Sequence, residues 1–480
     1  MLLSMLVKPR RARRFDYGTY MSAPSLYPNE QHLGLMTDFH ALVMAAGFYA
    51  RGMADRQATF ELSIRAMPAG RNYLIAAGLA QVIHYLLRFS VSPEQIRWLR
   101  QQPAFAKVPV GWYEKLDALR FEGDIWAMPE GTPCFPPSPI LRITAPLMVA
   151  QLLETYLVST IMMQTMVASK ASRIVTAAQG RALFDFGSRR AHGPQAGMLA
   201  ARAAYIAGFD GTSHTEAARR LHIPVIGTQT HSWIMAFRDE TDAFRQFGEV
   251  FPNLGSLVVD TYNTLEGVKH AIASGAPMQA IRLDSGNLLE LSRECRKLLN
   301  AAGHKQVKII ASGDLNESKI QALVEANAPI DAFGVGTEMV TSQDEPSLGC
   351  HYKLVEIETE FGLEGRLKNS TDKQSLPYAK QVYRFTGADD RFEFDEITRT
   401  TETLYGDPLL LPIMKNGELV EPMQSTSSCR QHCQAQRALL PERLLALATA
   451  SEPYRVRISK HLEREAERLL SAKPDEYLFG

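Results

Sequence analysis

The sequence predicts an α/β protein with a βα-barrel at its centre and a second domain built from the segments on either side. Three observations predict it. From Arg173 to Val335, short apolar runs alternate with helix-length segments, the pattern of repeated βα units and a parallel sheet. Each run ends in Arg, His, Asp, Ser, Gly or Thr. A doubly wound sheet would also fit the alternation, but only a barrel gathers all its C-terminal strand ends at one mouth, and this favours the barrel. Beyond Leu348 the rhythm changes to alternating strand-like segments, which predicts a separate β-rich portion.

The 480 residues suit two or three domains, and 45% hydrophobic with 22% charged residues supplies real cores. Residues 1–21, with Arg10, Arg11, Arg13 and Arg14 after a short apolar start, read as a loose tail or a misplaced start ahead of Met21; a secretory signal has the reverse order. Residues 22–150 begin with a helix capped by Asp38 and running through Phe39, Leu42, Val43 and Phe48, followed by a β-like run at Ala58–Arg65. The stretch Leu147–Ala168 is apolar but interrupted by Gln151, Glu154 and Gln164, so it predicts a buried helix rather than a membrane span. Residues 151–349 form the barrel part, with runs at Leu183–Gly187, Pro224–Thr228, Leu257–Thr261, Ala280–Asp284, Lys308–Ser312 and Ala332–Val335. Strands at Tyr352–Ile357, Lys380–Phe385 and Arg391–Glu396 place residues 350–430 with 22–150 in the second domain, and 431–480 read as a helical, charged segment.

Lys+Arg and Asp+Glu balance at 52 each, so no global field draws nucleic acid or an acidic membrane, and any anion site is local. Cys134, Cys295, Cys350, Cys429 and Cys433 are too scattered for a disulfide framework, which predicts a cytoplasmic protein. Cys429, His432 and Cys433 lack a second ligand pair for zinc, and the chain has no Gly-x-x-x-x-Gly-Lys-Ser/Thr phosphate loop.

The strand ends carry the chemistry. Arg189 and Arg190 follow the first run, His231 the second, Asp260 the third, Arg282 and Asp284 the fourth, Gly313 and Asp314 the fifth, Gly336 and Thr337 the sixth. Guanidinium groups pair with phosphate or carboxylate, glycines before helices let backbone N–H groups wrap a phosphate, and carboxylates hold Mg²⁺ or ribose hydroxyls. Together they predict a phosphosugar site with a charge-developing transition state. Taken singly, a strand-end Asp more often caps the next helix, and a lone loop His is more often solvated.

The motifs Asp185-Phe186-Gly187-Ser188-Arg189-Arg190-Ala191-His192-Gly193-Pro194, Gly208-Phe209-Asp210-Gly211-Thr212-Ser213, Gly227-Thr228-Gln229-Thr230-His231 and Val259-Asp260-Thr261-Tyr262-Asn263-Thr264 closely resemble the nicotinate phosphoribosyltransferase family. So do Ile281-Arg282-Leu283-Asp284-Ser285-Gly286, Ala311-Ser312-Gly313-Asp314, Gly334-Val335-Gly336-Thr337 and Leu348-Gly349-Cys350-His351-Tyr352-Lys353, with Thr37-Asp38 and Phe60-Glu61-Leu62 upstream. The resemblance runs from about Thr37 to about Arg384. It implies an irregular, TIM-like α/β barrel with an α/β sandwich domain, a homodimer with shared active sites, and transfer of a phosphoribosyl group from 5-phosphoribosyl-1-pyrophosphate to nicotinate. It also implies Mg²⁺, and ATP as co-substrate through a phosphohistidine at His231. By the same resemblance Phe186 stacks on the pyridine, Arg189 and Arg282 contact substrate, Asp284 meets the ribose, and Gly313, Gly336 and Thr337 hold the 5-phosphate. Lys353 and Lys380 fall in basic motifs of the family.

Three positions bear on the substrate. His40 stands where the family usually has Tyr, reaching the base from the neighbouring subunit, and Asn287 replaces a frequent Asp, as in nicotinamide-using relatives. Those relatives carry an amide-selecting Asp where this chain has Ser213, and an Asp there would repel a carboxylate, so Ser213 favours the acid. The alternatives are a nicotinamide-using enzyme and a non-catalytic sensor of phosphoribosyl ligands.

Overall fold

The computed structural model describes residues 29–370 and 374–471, so the expected tail at residues 1–21 lies outside it. Six parallel strands form the central sheet: β1 (Ala182–Asp185), β2 (Gly211–Thr212), β3 (Ser256–Val258), β4 (Ala280–Leu283), β5 (Lys308–Ala311) and β6 (Ala332–Val335). Their order is β2-β1-β6-β5-β4-β3. They are apolar on both faces because both are covered. Outward, Leu183, Ile281, Leu283, Ile309 and Phe333 pack among the surrounding helices. Inward, Ala182, Ala280 and Ala332 meet Phe184 and Ile310, small residues suiting a narrow ring.

The run Pro224–Thr228 departs from expectation, for it is not a strand and makes a single parallel bridge, Val225 to Thr212. Thr212 N–H donates to Pro224 O and Ile226 N–H to Thr212 O, each at 3.0 Å, while Gln229 N–H donates to Ser256 O at 3.1 Å. This irregular segment thus links β2 to β3, the two edges of the sheet, and makes the structure an irregular βα-barrel. Pro224 has no N–H to offer a ladder, and Val225 is 65% exposed, so no buried face fixes a strand here.

The apolar stretch expected as one helix over 147–168 is two, Leu147–Leu152 and Glu154–Ala178, and the second runs ten residues further than the sequence pattern indicated. Ile161 and Met166 belong to the core of the N-terminal part, whereas Val167, Ala168 and Ala171 belong to the barrel core, so this helix is a spine shared by both. Asp38 occupies the N-cap of helix Phe39–Ala50, but its carboxylate accepts from Thr155 Oγ1 at 2.9 Å instead of capping.

The second part holds a seven-stranded sheet in which Gln57–Ile64 pairs antiparallel with both Pro139–Pro146 and Cys350–Thr359. A four-stranded sheet unites Lys380–Thr386, Phe392–Arg399 and Asp407–Pro408 with Arg455–Ile458, the last running parallel to Phe392–Arg399. That last strand corrects the all-helical reading of residues 431–480. Its Arg-Val-Arg-Ile alternation buries Val456 and Ile458 only partly, a period-2 signal too short to outweigh the charged helices around it.

Candidate active site

The C-terminal ends of β1, β3, β4 and β5 bring the central residues together. Arg282, buried on β4, divides its guanidinium among three partners: Nε donates to Ser312 Oγ at 2.9 Å, one terminal nitrogen to Thr228 Oγ1 at 3.1 Å, the other to Asp284 Oδ1 at 2.6 Å. The same Asp284 oxygen accepts from Ser312 Oγ at 2.5 Å. Burial opposes ionisation of Asp284, but the Ser312 hydroxyl and the Arg282 charge outweigh it and hold the carboxyl below its ordinary range. Asp284 is therefore a fixed anion. Its second oxygen faces His231 Nε2 at 3.7 Å, and His231 Nδ1 lies 3.1 Å from Thr261 Oγ1.

Asp260 braces this group from β3. Its Oδ2 accepts the Asp284 N–H at 2.9 Å and the Ser285 hydroxyl at 2.6 Å, while Oδ1 is buried without a partner. Phe186 sits after β1, its N–H donating to Val335 O at 2.8 Å, with the Arg282 guanidinium 5.4 Å from its ring centre. Gly334 makes room for that ring, since a Cβ there would lie 2.4 Å from it. Ser213 is drawn close through Asp185: Ser213 N–H donates to the Asp185 carbonyl at 2.9 Å, and the Asp185 carboxylate accepts from Thr212 Oγ1 and Gly187 N–H. Burial pushes the Asp185 carboxyl up in spite of those two donors.

Gly313 has φ +95°, and a Cβ there would meet the Asp284 carbonyl at 2.1 Å, so the β5 loop presses on the β4 end as only glycine allows. Gly313 and Asp314 are exposed, and Gly336 and Thr337 are half-buried, Gly336 beside the Phe186 carbonyl. Arg189 and Arg190 follow Phe186 in the short turn Ser188–Arg190, both exposed. Thr228, Thr261 and Ser312 were not among the sequence candidates. All three close or follow apolar runs, but a hydroxyl at a strand end is too common to single out.

Two candidates lie elsewhere within the chain. His40 is exposed on helix Phe39–Ala50, 3.7 Å from Glu154 Oε2. Lys353 stands opposite Glu61 on the seven-stranded sheet, beside a cavity of about 260 Å³ that His351, Ser63 and Lys380 also line. Lys380 is committed to structure: its buried ammonium pairs with Glu61 at 2.9 Å and donates to the carbonyls of Leu376 and Tyr378. Asn287 also has a structural task, accepting from Glu290 N–H at 3.3 Å as the cap of helix Leu288–Ala301. Asn and Asp cap about equally well, so this replacement does not need a substrate-based explanation.

Among the described residues no helix is long and apolar enough to cross a membrane. The chain matches the family model for the nicotinate phosphoribosyltransferase N-terminal domain over residues 35–162, the family's main model over 181–395 and its C-terminal domain over 404–465. A nicotinate phosphoribosyltransferase of Mycobacterium tuberculosis is 42% identical over 456 residues, covering 92% of this chain and 95% of that protein. One of Bacillus subtilis is 39% identical over 74% of each. The crystal structure of human nicotinic acid phosphoribosyltransferase superposes with a TM-score of 0.79 at 26% identity, covering 91% of this chain and 100% of that one. Family models spanning both the barrel and the flanking parts, with near-full-length relatives at this identity, place the chain in the nicotinate phosphoribosyltransferase family.

Proposed function

We propose that this protein joins nicotinate to 5-phosphoribosyl-1-pyrophosphate, giving nicotinate mononucleotide and pyrophosphate, with ATP hydrolysis coupled through a phosphohistidine at His231. The reaction would be the first step in salvaging nicotinate to NAD, in a cytoplasmic homodimer. The observation that carries the reading is the single mouth where Phe186, Arg282, Asp284 and His231 meet. Phe186 and Arg282 together offer an aromatic face and a cation to a flat, anionic base. The pyridine nitrogen attacks C1 as the C1–oxygen bond to pyrophosphate breaks, and the ribosyl centre gains positive charge. Asp284, ionised and held by Arg282 and Ser312, is the anion placed to stabilise that charge or the ribose hydroxyls.

Among the described residues no three His, Cys, Asp or Glu side chains form a ready metal cage. Mg²⁺ commonly binds through one or two carboxylates plus substrate phosphates, and the unpartnered Asp260 Oδ1 and the Asp284 oxygen that faces His231 fit that mode. When bound, Mg²⁺ would neutralise charge on the leaving pyrophosphate. A phosphoryl group on His231 would bring roughly two negative charges to within reach of Asp284, enough to redistribute the donors of Arg282. Met36, Phe39 and Met44, near His40 in the chain, are exposed apolar residues, which suits contact with a second copy of the chain and so a site shared between subunits.

The test is product formation from nicotinate and from nicotinamide with 5-phosphoribosyl-1-pyrophosphate, each with and without ATP. Turnover of nicotinate that rises with ATP is expected. Turnover of nicotinamide alone, or binding without turnover, would replace the reading.

A further inference from the structure

Behind the loops after β5 and β6, three carboxylates converge on one buried ammonium. Lys170, 2% exposed on helix Glu154–Ala178, has its Nζ 2.7 Å from Glu317, 2.9 Å from Asp344 and 3.7 Å from Glu338. Glu317 opens the helix that follows Gly313 and Asp314, and Glu338 lies in the turn that Gly336 and Thr337 begin. Asn316 Nδ2 donates to Glu338 Oε1 at 3.4 Å, joining the two loops. From the N-terminal part Arg71 grips both oxygens of Asp344 at 2.7 and 3.1 Å, and Arg173 Nε donates to Glu317 at 2.9 Å. Lys170, Arg71 and Arg173 thus face Glu317, Glu338 and Asp344, and the charges cancel.

Such a cluster is poorly explained by stability alone. Lys170, Arg71 and Glu317 are buried while Asp344 reaches solvent, so desolvating the buried three costs much of what the attraction returns, and an apolar side chain would suit the stretch Met166-Val167-Ala168 just before Lys170. What the ion cluster supplies is direction: it sets two loops, the long helix and the N-terminal part in one arrangement. Backbone N–H groups that cradle a phosphate act only while held in place, and their hold comes from the residues behind them.

We propose that Lys170 is a positioning residue for the phosphoribosyl substrate, fixing through Glu317 and Glu338 the loops that carry Gly313, Asp314, Gly336 and Thr337. The inference rests on the transferase reading above and on those loops meeting the 5-phosphate. Lys170→Met should raise the KM for 5-phosphoribosyl-1-pyrophosphate about tenfold or more while the KM for nicotinate moves less than about threefold, since the hydrogen bonds of Arg282 go to Ser312, Thr228 and Asp284 and that of the Phe186 N–H to Val335, none of them a member of the cluster. A purely structural role would lower the active fraction and leave both KM values as they were; that result, or equal shifts in both, overturns the inference. If Lys170→Met does not fold, Asp344→Asn carries the test, because Asp344 follows the turn Thr337–Val340 and its change leaves the Lys170–Glu317 pair intact. A rise of about threefold or more in the phosphoribosyl pyrophosphate KM alone is then expected, and no rise overturns the inference. The native protein is assayed alongside. If it neither binds nor turns over 5-phosphoribosyl-1-pyrophosphate, the transferase reading falls; if it does so and the variants match it, only the role of Lys170 falls.

Discussion

Arg282 and Asp284 each serve more than one partner, and this sharing is what makes the site a unit. Removing either would leave the other partly buried and uncompensated, so single substitutions there would confound binding with local collapse. Ser213 is a cleaner probe, because its side chain is half-buried and its backbone bond to Asp185 survives substitution. Ser213→Asp places a carboxylate beside the Asp185–Phe186 strand end, and on the proposed reading nicotinate KM should rise at least about tenfold, roughly 1.4 kcal/mol, with nicotinamide little affected. An unchanged nicotinate KM would mean residue 213 does not face the base. Arg282, Asp284, Asp260 and His231 were legible in the sequence because charged or imidazole groups directly after apolar runs are chemically conspicuous. Lys170 and its partners were not, since nothing in the sequence says that Glu317, Glu338 and Asp344 meet one point of a helix far upstream in the chain.

Elements place these residues through close packing that the backbone alone can permit. Gly334 of β6 is the sharpest example, lying under the Phe186 ring with no room for a Cβ. Gly334→Ala should push the ring off its position, raise nicotinate KM, and destabilise the protein by about 1–3 kcal/mol as overpacking does. Kinetics and thermal unfolding of the same variant check both effects; an unaltered nicotinate KM would show that the ring's place is not set by β6. The parallel strands were readable because fully covered strands are continuous apolar runs. Pro224–Thr228 misled because it is equally apolar, and only its hydrogen bonds reveal a single bridge in place of a strand. Helix Glu154–Ala178 ran past its expected end because Ser169, Lys170 and Ser172 are buried polar residues whose partners come from other elements.

At the scale of the whole molecule, the flanking part contributes a strongly desolvated histidine whose titration is coupled to folding. Burial, helped by Arg65, Lys353 and Lys380, pushes His351 down to about 4. Its folded value lies below the unfolded one of about 6.5, so the unfolded chain takes up the proton first. Stability is then complete above about pH 6.5 and is lost as pH falls toward 4. His351→Gln should flatten this window, so that denaturant unfolding at about pH 7 and pH 5 differs less for the variant than for the native protein. Asp284 and Glu317 are held below the ordinary carboxylate range by their cationic and hydroxyl neighbours against the effect of burial, and they are common to both proteins. Equal losses in the two would show that His351 is not the group responsible.

In the proposed reaction His231, set between Thr261 and Asp284, receives a phosphoryl group from ATP and passes its effect to the substrate site. The most direct measurement is the rate of nicotinate mononucleotide formation, with and without ATP, in the native protein and in His231→Ala. A phosphohistidine at His231 predicts that the variant keeps a slow ATP-independent transfer, because Phe186, Arg282 and Asp284 still position both substrates, and loses the stimulation by ATP entirely. Stimulation by ATP that persists undiminished in His231→Ala would contradict it.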